Sequence, residues 1–270
     1  MKTVKIGRIK VGRGHPLLFI AGPCVVESRD MVFRIAEKLV KIAAKLEVPL
    51  VFKASFDKAN RSSSKSFRGI GKVKALEVLS EVREKFNVPV LTDVHTEQDA
   101  IEAGAVVDVL QIPAFLCRQT DLLRAAAYTG KVVNVKKGQF LSPNDMKNVA
   151  QKLESAGTTS IMLTERGTTF GYNNLVVDMR GIPIMQETGY PVIMDATHAV
   201  QHPGGAGDRS SGESRFAPVL ARAAVAVGCD GVFIETHMDP SKALSDGPNM
   251  IPLSAMPKLM AQLKELHEMV

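Results

Sequence analysis

The chain has 270 residues, 45% hydrophobic and 23% charged, with a net charge of +6; this is the composition of a globular protein large enough for two small domains or one α/β barrel. No apolar run reaches the roughly 18 to 20 residues of a membrane span, no signal-type core follows the basic start, and 5% aromatics without tryptophan or a dense Lys/Arg run argue against nucleic acid. The positive excess suits small anionic substrates, and three cysteines (Cys24, Cys117, Cys229) without zinc-finger spacing suit a reducing, cytoplasmic setting.

In chain order, residues 4–10 alternate and Gly12-Arg13-Gly14 offers a turn. They predict a hairpin within residues 1–16 that closes the bottom of the fold. Eight short apolar runs follow, at 17–21, 49–53, 89–93, 107–112, 132–136, 160–165, 191–195 and 231–236. Helical spacing fills the gaps at 30–46, 73–86, 97–103, 119–128, 143–156, 175–187 and 214–227, with a last helix at 257–269. Near-continuous apolar strands alternating with helices imply parallel strands joined by right-handed crossovers. Eight such units predict a (β/α)8 TIM barrel of the α/β class, with residues 1–270 as a single domain. The rival is a doubly wound open sheet, and no glycine-rich dinucleotide fingerprint follows an early strand to support it. The stretch 203–212, rich in glycine, is expected to be a mobile loop over the top.

Barrel enzymes work at the carboxyl ends of their strands. Here those ends carry Cys24, Lys53, Asp93, Gln111, Lys136, Glu165 with Arg166, His198 and Glu235. After the second strand, Lys53, Lys58 and Arg61 supply positive charge, and Asn60, Ser62 and Ser63 supply directional hydrogen bonds, a set fitted to phosphate or carboxylate. Cys24, His198, Glu235 and Asp246 offer sulfur, nitrogen and oxygen to a divalent transition metal. Each alone also reads plainly: Cys24 as a small buried hydrophobe, His198 as a structural histidine, Asp246 as a turn residue. His237 is the reserve ligand, with His95 and His202 behind it.

Several long motifs, in order and nearly end to end, carry a resemblance. They are Ala21-Gly-Pro-Cys-Val-Val-Glu-Ser28, the lysine-rich stretch continuing to Phe67-Arg-Gly69, and the run from Gln111 to Asp121. Asn134-Val-Lys-Lys-Gly-Gln-Phe140, the run from Thr164 to Asn174, Asp195-Ala-Thr-His198 and Phe233-Ile-Glu-Thr-His237 complete the set. The chain resembles the 3-deoxy-D-manno-octulosonate 8-phosphate synthases. The sister family, the 3-deoxy-D-arabino-heptulosonate 7-phosphate synthases, typically has Lys-Pro-Arg-Thr-Ser where this chain has Lys58-Ala-Asn-Arg-Ser62.

The resemblance implies condensation of phosphoenolpyruvate with D-arabinose 5-phosphate in lipopolysaccharide assembly. It implies that Lys58, Lys136 and Arg166 grip phosphoenolpyruvate beside Ala114 and Gln139, and that Asn60, Arg61 and Ser62 hold the sugar phosphate. Lys53, Gln111 and Gln201 join the expected substrate contacts, and Arg118 is expected to reach the sugar phosphate of a neighbouring subunit in a homotetramer. The expected catalytic set is His198, Asp93, Lys58 and Cys24. Relatives with cysteine at position 24 require a metal and relatives with asparagine there do not, so this chain is expected to use zinc, iron, manganese or cobalt through Cys24, His198, Glu235 and Asp246. It departs from the commoner pattern at Ser64-Lys65 and at His202. Three other readings compete: the heptulosonate synthase reaction, a sugar-phosphate-binding barrel without catalysis, and a class I aldolase using Lys53 or Lys136.

Overall fold

The computed structural model describes residues 1–59, 67–202 and 211–270. Eight parallel strands form the barrel: β1 (Leu18–Gly22), β2 (Leu50–Lys53), β3 (Val90–Asp93), β4 (Val109–Ile112), β5 (Val132–Lys136), β6 (Ile161–Glu165), β7 (Val192–Asp195) and β8 (Gly231–His237). Each pairs with its sequence neighbour, and β8 closes the ring on β1 through Gly231↔Leu18 to Glu235↔Gly22. The helices between them are α1 (Arg29–Leu46), α2 (Lys72–Phe86), α3 (Glu97–Gly104), α4 (Thr120–Tyr128), α5 (Met146–Ser155), α6 (Gly181–Gln186) and α7 (Ala217–Ala226), with α8 (Met256–Met269) last. The predicted α/β barrel is the observed one, and every strand boundary falls within two residues of its expected place.

Period-two alternation sorts the side chains. Phe19, Phe52, Val90, Leu110, Val133, Leu163, Met194 and Ile234 point outward into a core shared with the helices. Leu18, Ile20, Val51, Leu91, Val109, Val132, Met162, Ile193 and Phe233 point inward and form an apolar floor. Two residues further along the same strands, the interior turns polar: Lys53, Asp93, Gln111, Asn134, Thr164, Asp195 and Glu235 are all buried. That single change of residue class, one pleat higher, creates the site.

The N-terminal hairpin pairs Val4–Ile6 with Ile9–Val11, and Val4, Ile6 and Val11 pack into the floor, sealing the bottom. Its turn differs from expectation. Gly7, at φ 55°, makes it rather than Gly12–Gly14, because a two-residue hairpin turn needs a positive φ that glycine adopts freely.

The second difference is the predicted helix at 175–187, of which only Gly181–Gln186 forms. Leu175–Val176 instead pairs antiparallel with Thr168–Thr169 across a turn where Asn173 takes φ 54°. The apolar run that resembled a helix face is one arm of this small ladder. Of the predicted loop at 203–212, residues 203–210 lie outside the described residues; its stem is a ladder of Gln201–His202 with Ser211–Gly212. No helix among the described residues is long and apolar enough to cross a membrane. The three cysteines are free and buried.

Candidate active site

β1 leaves the barrel through Gly22-Pro23-Cys24. A Cβ on Gly22 would stand 1.9 Å from the Lys53 carbonyl oxygen, so glycine lets the exits of β1 and β2 approach this closely. Cys24 Sγ lies 2.8 Å from Ser245 Oγ and 3.2 Å from Asp246 Oδ2. Asp246 comes from the loop after β8, in a left-handed conformation (φ 49°) at the start of a short turn, Gly247–Asn249. The ligand atoms of Cys24, Glu235 and Asp246 all lie within 4.8 Å of one another.

That donor set, one cysteine sulfur and two carboxylates with their ligand atoms close together, fits a divalent transition metal. Glu235 Oε2 is buried with no hydrogen-bond partner among the described residues, as an oxygen awaiting a cation would be. Burial, helped by the charges of Asp246 and Glu235, raises the Cys24 thiol; a bound cation would oppose that shift and favour the thiolate.

His198, the fourth expected ligand, is not in this group. Its Nδ1 stands 2.8 Å from Asp195 Oδ2 and its Nε2 3.6 Å from Glu235 Oε1, so it borders the cluster through a shared carboxylate. His237 turns its Nε2 toward Glu27, 4.0 Å away. His95 packs edge-on against Phe56, and His202 lies 3.9 Å from Glu213.

The cations form the facing wall. Lys53 Nζ donates to the Cys24 carbonyl at 2.8 Å and to Glu235 Oε1 at 2.5 Å. Lys58 Nζ lies 3.8 Å from Glu235 Oε1 and 3.9 Å from Asp93 Oδ2. Lys136 Nζ is 2.7 Å from Asp195 Oδ2 and 4.0 Å above the centre of the Phe233 ring. Arg166 donates to Gln201 Oε1 at 3.1 Å, while its Nη1 and the Gln139 Oε1 are buried without partners among the described residues. Unsatisfied buried donors and acceptors of this kind mark where a polar ligand belongs.

Burial opposes ionisation of Asp93, Glu235 and Asp195, yet all three are held well below the usual carboxylate range. Lys53, Lys58 and Lys136 do this for Asp93; Lys53, His198 and Lys58 for Glu235; His198 and Lys136 for Asp195. Burial also opposes the charge on Lys58, but Cys24, Glu235, Asp93 and Asp246 around it raise its pKa. The Arg166 guanidinium is lowered by burial, against the pull of Asp195 and Glu165, and as a guanidinium it stays charged. The result is a preorganised set of buried charges of both signs, suited to binding and polarising a small anion.

Gln111 is inside the barrel, donating to Asp93 and accepting from Asn134 at 2.9 Å. Ala114 is buried in the short turn Ala114–Leu116 after β4, and Arg118, a little further on, is exposed. Asn60, Arg61 and Ser62 lie outside the described residues.

Sequence reasoning assigned no role to Ser55 or Ser245, nor to Asn134, Lys137, Thr164 and Asp195, which it quoted only as parts of motifs. Lys137 is fully buried, with Nζ 3.0 Å from Thr168 Oγ1, 3.2 Å from the Gly167 carbonyl, 3.3 Å from the Leu141 carbonyl and 3.4 Å from Glu165 Oε1. It binds the loop after β5 to the loop after β6. Counting inward positions by twos from the floor would have found Asn134, Thr164 and Asp195; Lys137, on the outward phase, carries no such signal.

Residues 2–270 match the DAHP synthetase I family. The chain is 56% identical over 269 residues to 2-dehydro-3-deoxyphosphooctonate aldolase of Trichlorobacter lovleyi, covering 100% of this chain and 99% of that protein. The Brucella ovis protein of the same name is 58% identical over 261 residues (97% and 94% covered), and that of Rickettsia bellii 56% over 267 residues (99% and 97%). Agreement at this level over the whole length, on a barrel that gathers the cations and the Cys24, Glu235 and Asp246 cluster described above, places the chain in the DAHP synthetase I family, alongside its 2-dehydro-3-deoxyphosphooctonate aldolases.

Proposed function

We propose that this chain condenses phosphoenolpyruvate with D-arabinose 5-phosphate and water, giving 3-deoxy-D-manno-octulosonate 8-phosphate and inorganic phosphate for lipopolysaccharide assembly, as a single-domain cytoplasmic enzyme. The observation that carries the reading is the convergence of Lys53, Lys58, Lys136 and Arg166 with Cys24, Glu235 and Asp246 on one end of the barrel. The full-length relatives named for this product support it.

In this reading Arg166, Lys136 and Lys58 grip the phosphate and carboxylate of phosphoenolpyruvate, and the unpartnered Arg166 Nη1 and Gln139 Oε1 receive their hydrogen bonds from it. Ala114 leaves room beside them. Asn60, Arg61 and Ser62 hold the sugar phosphate in this reading. Bond formation joins the third carbon of phosphoenolpyruvate to the sugar aldehyde carbon, while water adds at the second carbon and phosphate departs. Holding two polyanions in register, in a site whose charges are already placed, supplies most of the acceleration.

Asp93, which faces Lys58, and His198, which bridges Asp195 and Glu235, are the groups placed to carry protons. A divalent metal held by Cys24, Glu235 and Asp246, with His198 beside them, would orient and acidify water or polarise the aldehyde. The resemblance extends this reading to a homotetramer in which Arg118, which is exposed, crosses to a neighbour's site.

The deciding experiment measures phosphate release from phosphoenolpyruvate with arabinose 5-phosphate, and with erythrose 4-phosphate in parallel. Turnover with the five-carbon sugar is expected. A preference for the four-carbon sugar, or tight binding without release, defeats the proposal.

A further inference from the structure

Four polar side chains on four adjacent strands form a continuous buried chain. Thr164 Oγ1 on β6 donates to Asn134 Oδ1 on β5 at 2.7 Å; Asn134 Nδ2 donates to Gln111 Oε1 on β4 at 2.9 Å; Gln111 Nε2 donates to Asp93 Oδ1 on β3. Ser55 donates to the other Asp93 oxygen. Asp93, Gln111 and Asn134 are direct lateral neighbours in the sheet register, so their side chains rise from one rung into the interior. Thr164, Asn134 and Gln111 are wholly buried.

The chain has one direction, and Asp93 sets it. An ionised carboxylate only accepts, so Gln111 must turn its amino group toward it. The Gln111 oxygen then faces Asn134, which must donate, and the Asn134 oxygen is left for the Thr164 hydroxyl. Reversing any one amide sets oxygen against oxygen or amino group against amino group in a low-dielectric interior, a costly arrangement. Aligned dipoles polarise one another along the row and deliver the sum to Asp93.

Filling space does not require this row. One pleat below, the same four strands carry Leu91, Val109, Val132 and Met162 and pack without a polar atom. A buried polar chain retained at the level of the site, where hydrocarbon would serve packing as well, points to a role in the chemistry.

We propose that Thr164, Asn134 and Gln111 act as a one-way relay that fixes the orientation of Asp93, with Thr164 and Asn134 as positioning residues that never touch substrate. The assignment rests on the reading of Asp93 as part of the reaction site.

Thr164→Val keeps the shape and removes the donor at the head of the row. We expect kcat to fall about tenfold, the loss of one buried hydrogen bond, with the KM for phosphoenolpyruvate unchanged within about twofold. Thr164→Ser restores the hydroxyl and regains most of the rate. In parallel, NMR of the resting enzyme follows the side-chain amide protons of Asn134 and Gln111, which are slow to exchange in the parent and in Thr164→Ser and lose protection in Thr164→Val. An unchanged kcat in Thr164→Val, or equal losses in the Val and Ser variants, overturns the relay. The NMR arm needs no substrate: if the parent fails to release phosphate, the proposed activity falls, and unchanged amide protection in Thr164→Val separately overturns the relay.

Discussion

The Lys53 ammonium stands 2.5 Å from the Glu235 carboxylate, with 1% and 0% of those side chains exposed. Removing one member of a buried pair strands the other charge without water. Lys53→Met is therefore expected to destabilise the protein by about 3–5 kcal/mol. Equilibrium urea unfolding reads this directly, and a variant within about 1 kcal/mol of the parent would show that Lys58 alone satisfies Glu235.

Lys137 tests a different link. Its ammonium joins the loop carrying Gln139 to the loop carrying Arg166. Lys137→Met should loosen both, raising the KM for phosphoenolpyruvate by about tenfold or more, the cost of misplacing a charge-assisted contact. Thr168→Val, which removes only the shortest contact, should shift the same constant in the same direction by less. Steady-state kinetics with each substrate varied would show an unchanged KM in both variants if the buried ammonium is only structural.

Acid should unfold this protein steeply. Asp93, Glu235 and Asp195 are held below their ordinary values, so the stability they add is present above the unfolded carboxylate range near about pH 4 and is lost as pH falls toward their folded values. Asp230 runs the other way. Burial raises its carboxyl, so its contribution belongs to the protonated form and fades as pH rises through the folded value. Unfolding free energy measured from pH 7 down to 3 should hold nearly level above about pH 5 and then drop; a level curve to pH 3 contradicts the coupling.

Metal removal is the fourth test. A strong chelator is expected to abolish turnover, with zinc, iron, manganese or cobalt restoring part of it through Cys24, Glu235 and Asp246. Cys24→Asn should lose metal affinity yet keep more activity than Cys24→Ala, because the amide can still bond to Ser245 and Asp246, the partners of the native thiol. Full activity in rigorously stripped enzyme would sink the assignment.

The barrel was legible because buried parallel strands are apolar on both phases and end in chemistry-bearing residues. Leu50–Lys53 and Val192–Asp195 show this plainly. Misread segments were those where spacing has two solutions: Leu175–Val176 fits a helix face and a strand equally, and only its pairing with Thr168–Thr169 decides. The site was half visible. Cys24, Lys53 and Glu235 lie where strand ends predict, and Asp246 reaches Cys24 and Glu235 from the loop after β8, but His198 shares the Asp195 and Glu235 carboxylates instead of joining the cluster, a matter of side-chain direction that no spacing encodes. Asn134 and Thr164, each the first residue of a quoted motif, received no role because a polar residue within a strand gains meaning only when its neighbour across the sheet is known.

Val4, Ile6 and Val11 stopper the lower mouth of the barrel with hydrocarbon. Among the described residues, the polar rung above that plug therefore opens toward the carboxyl ends of the strands, the side from which a ligand of the proposed reaction would have to arrive.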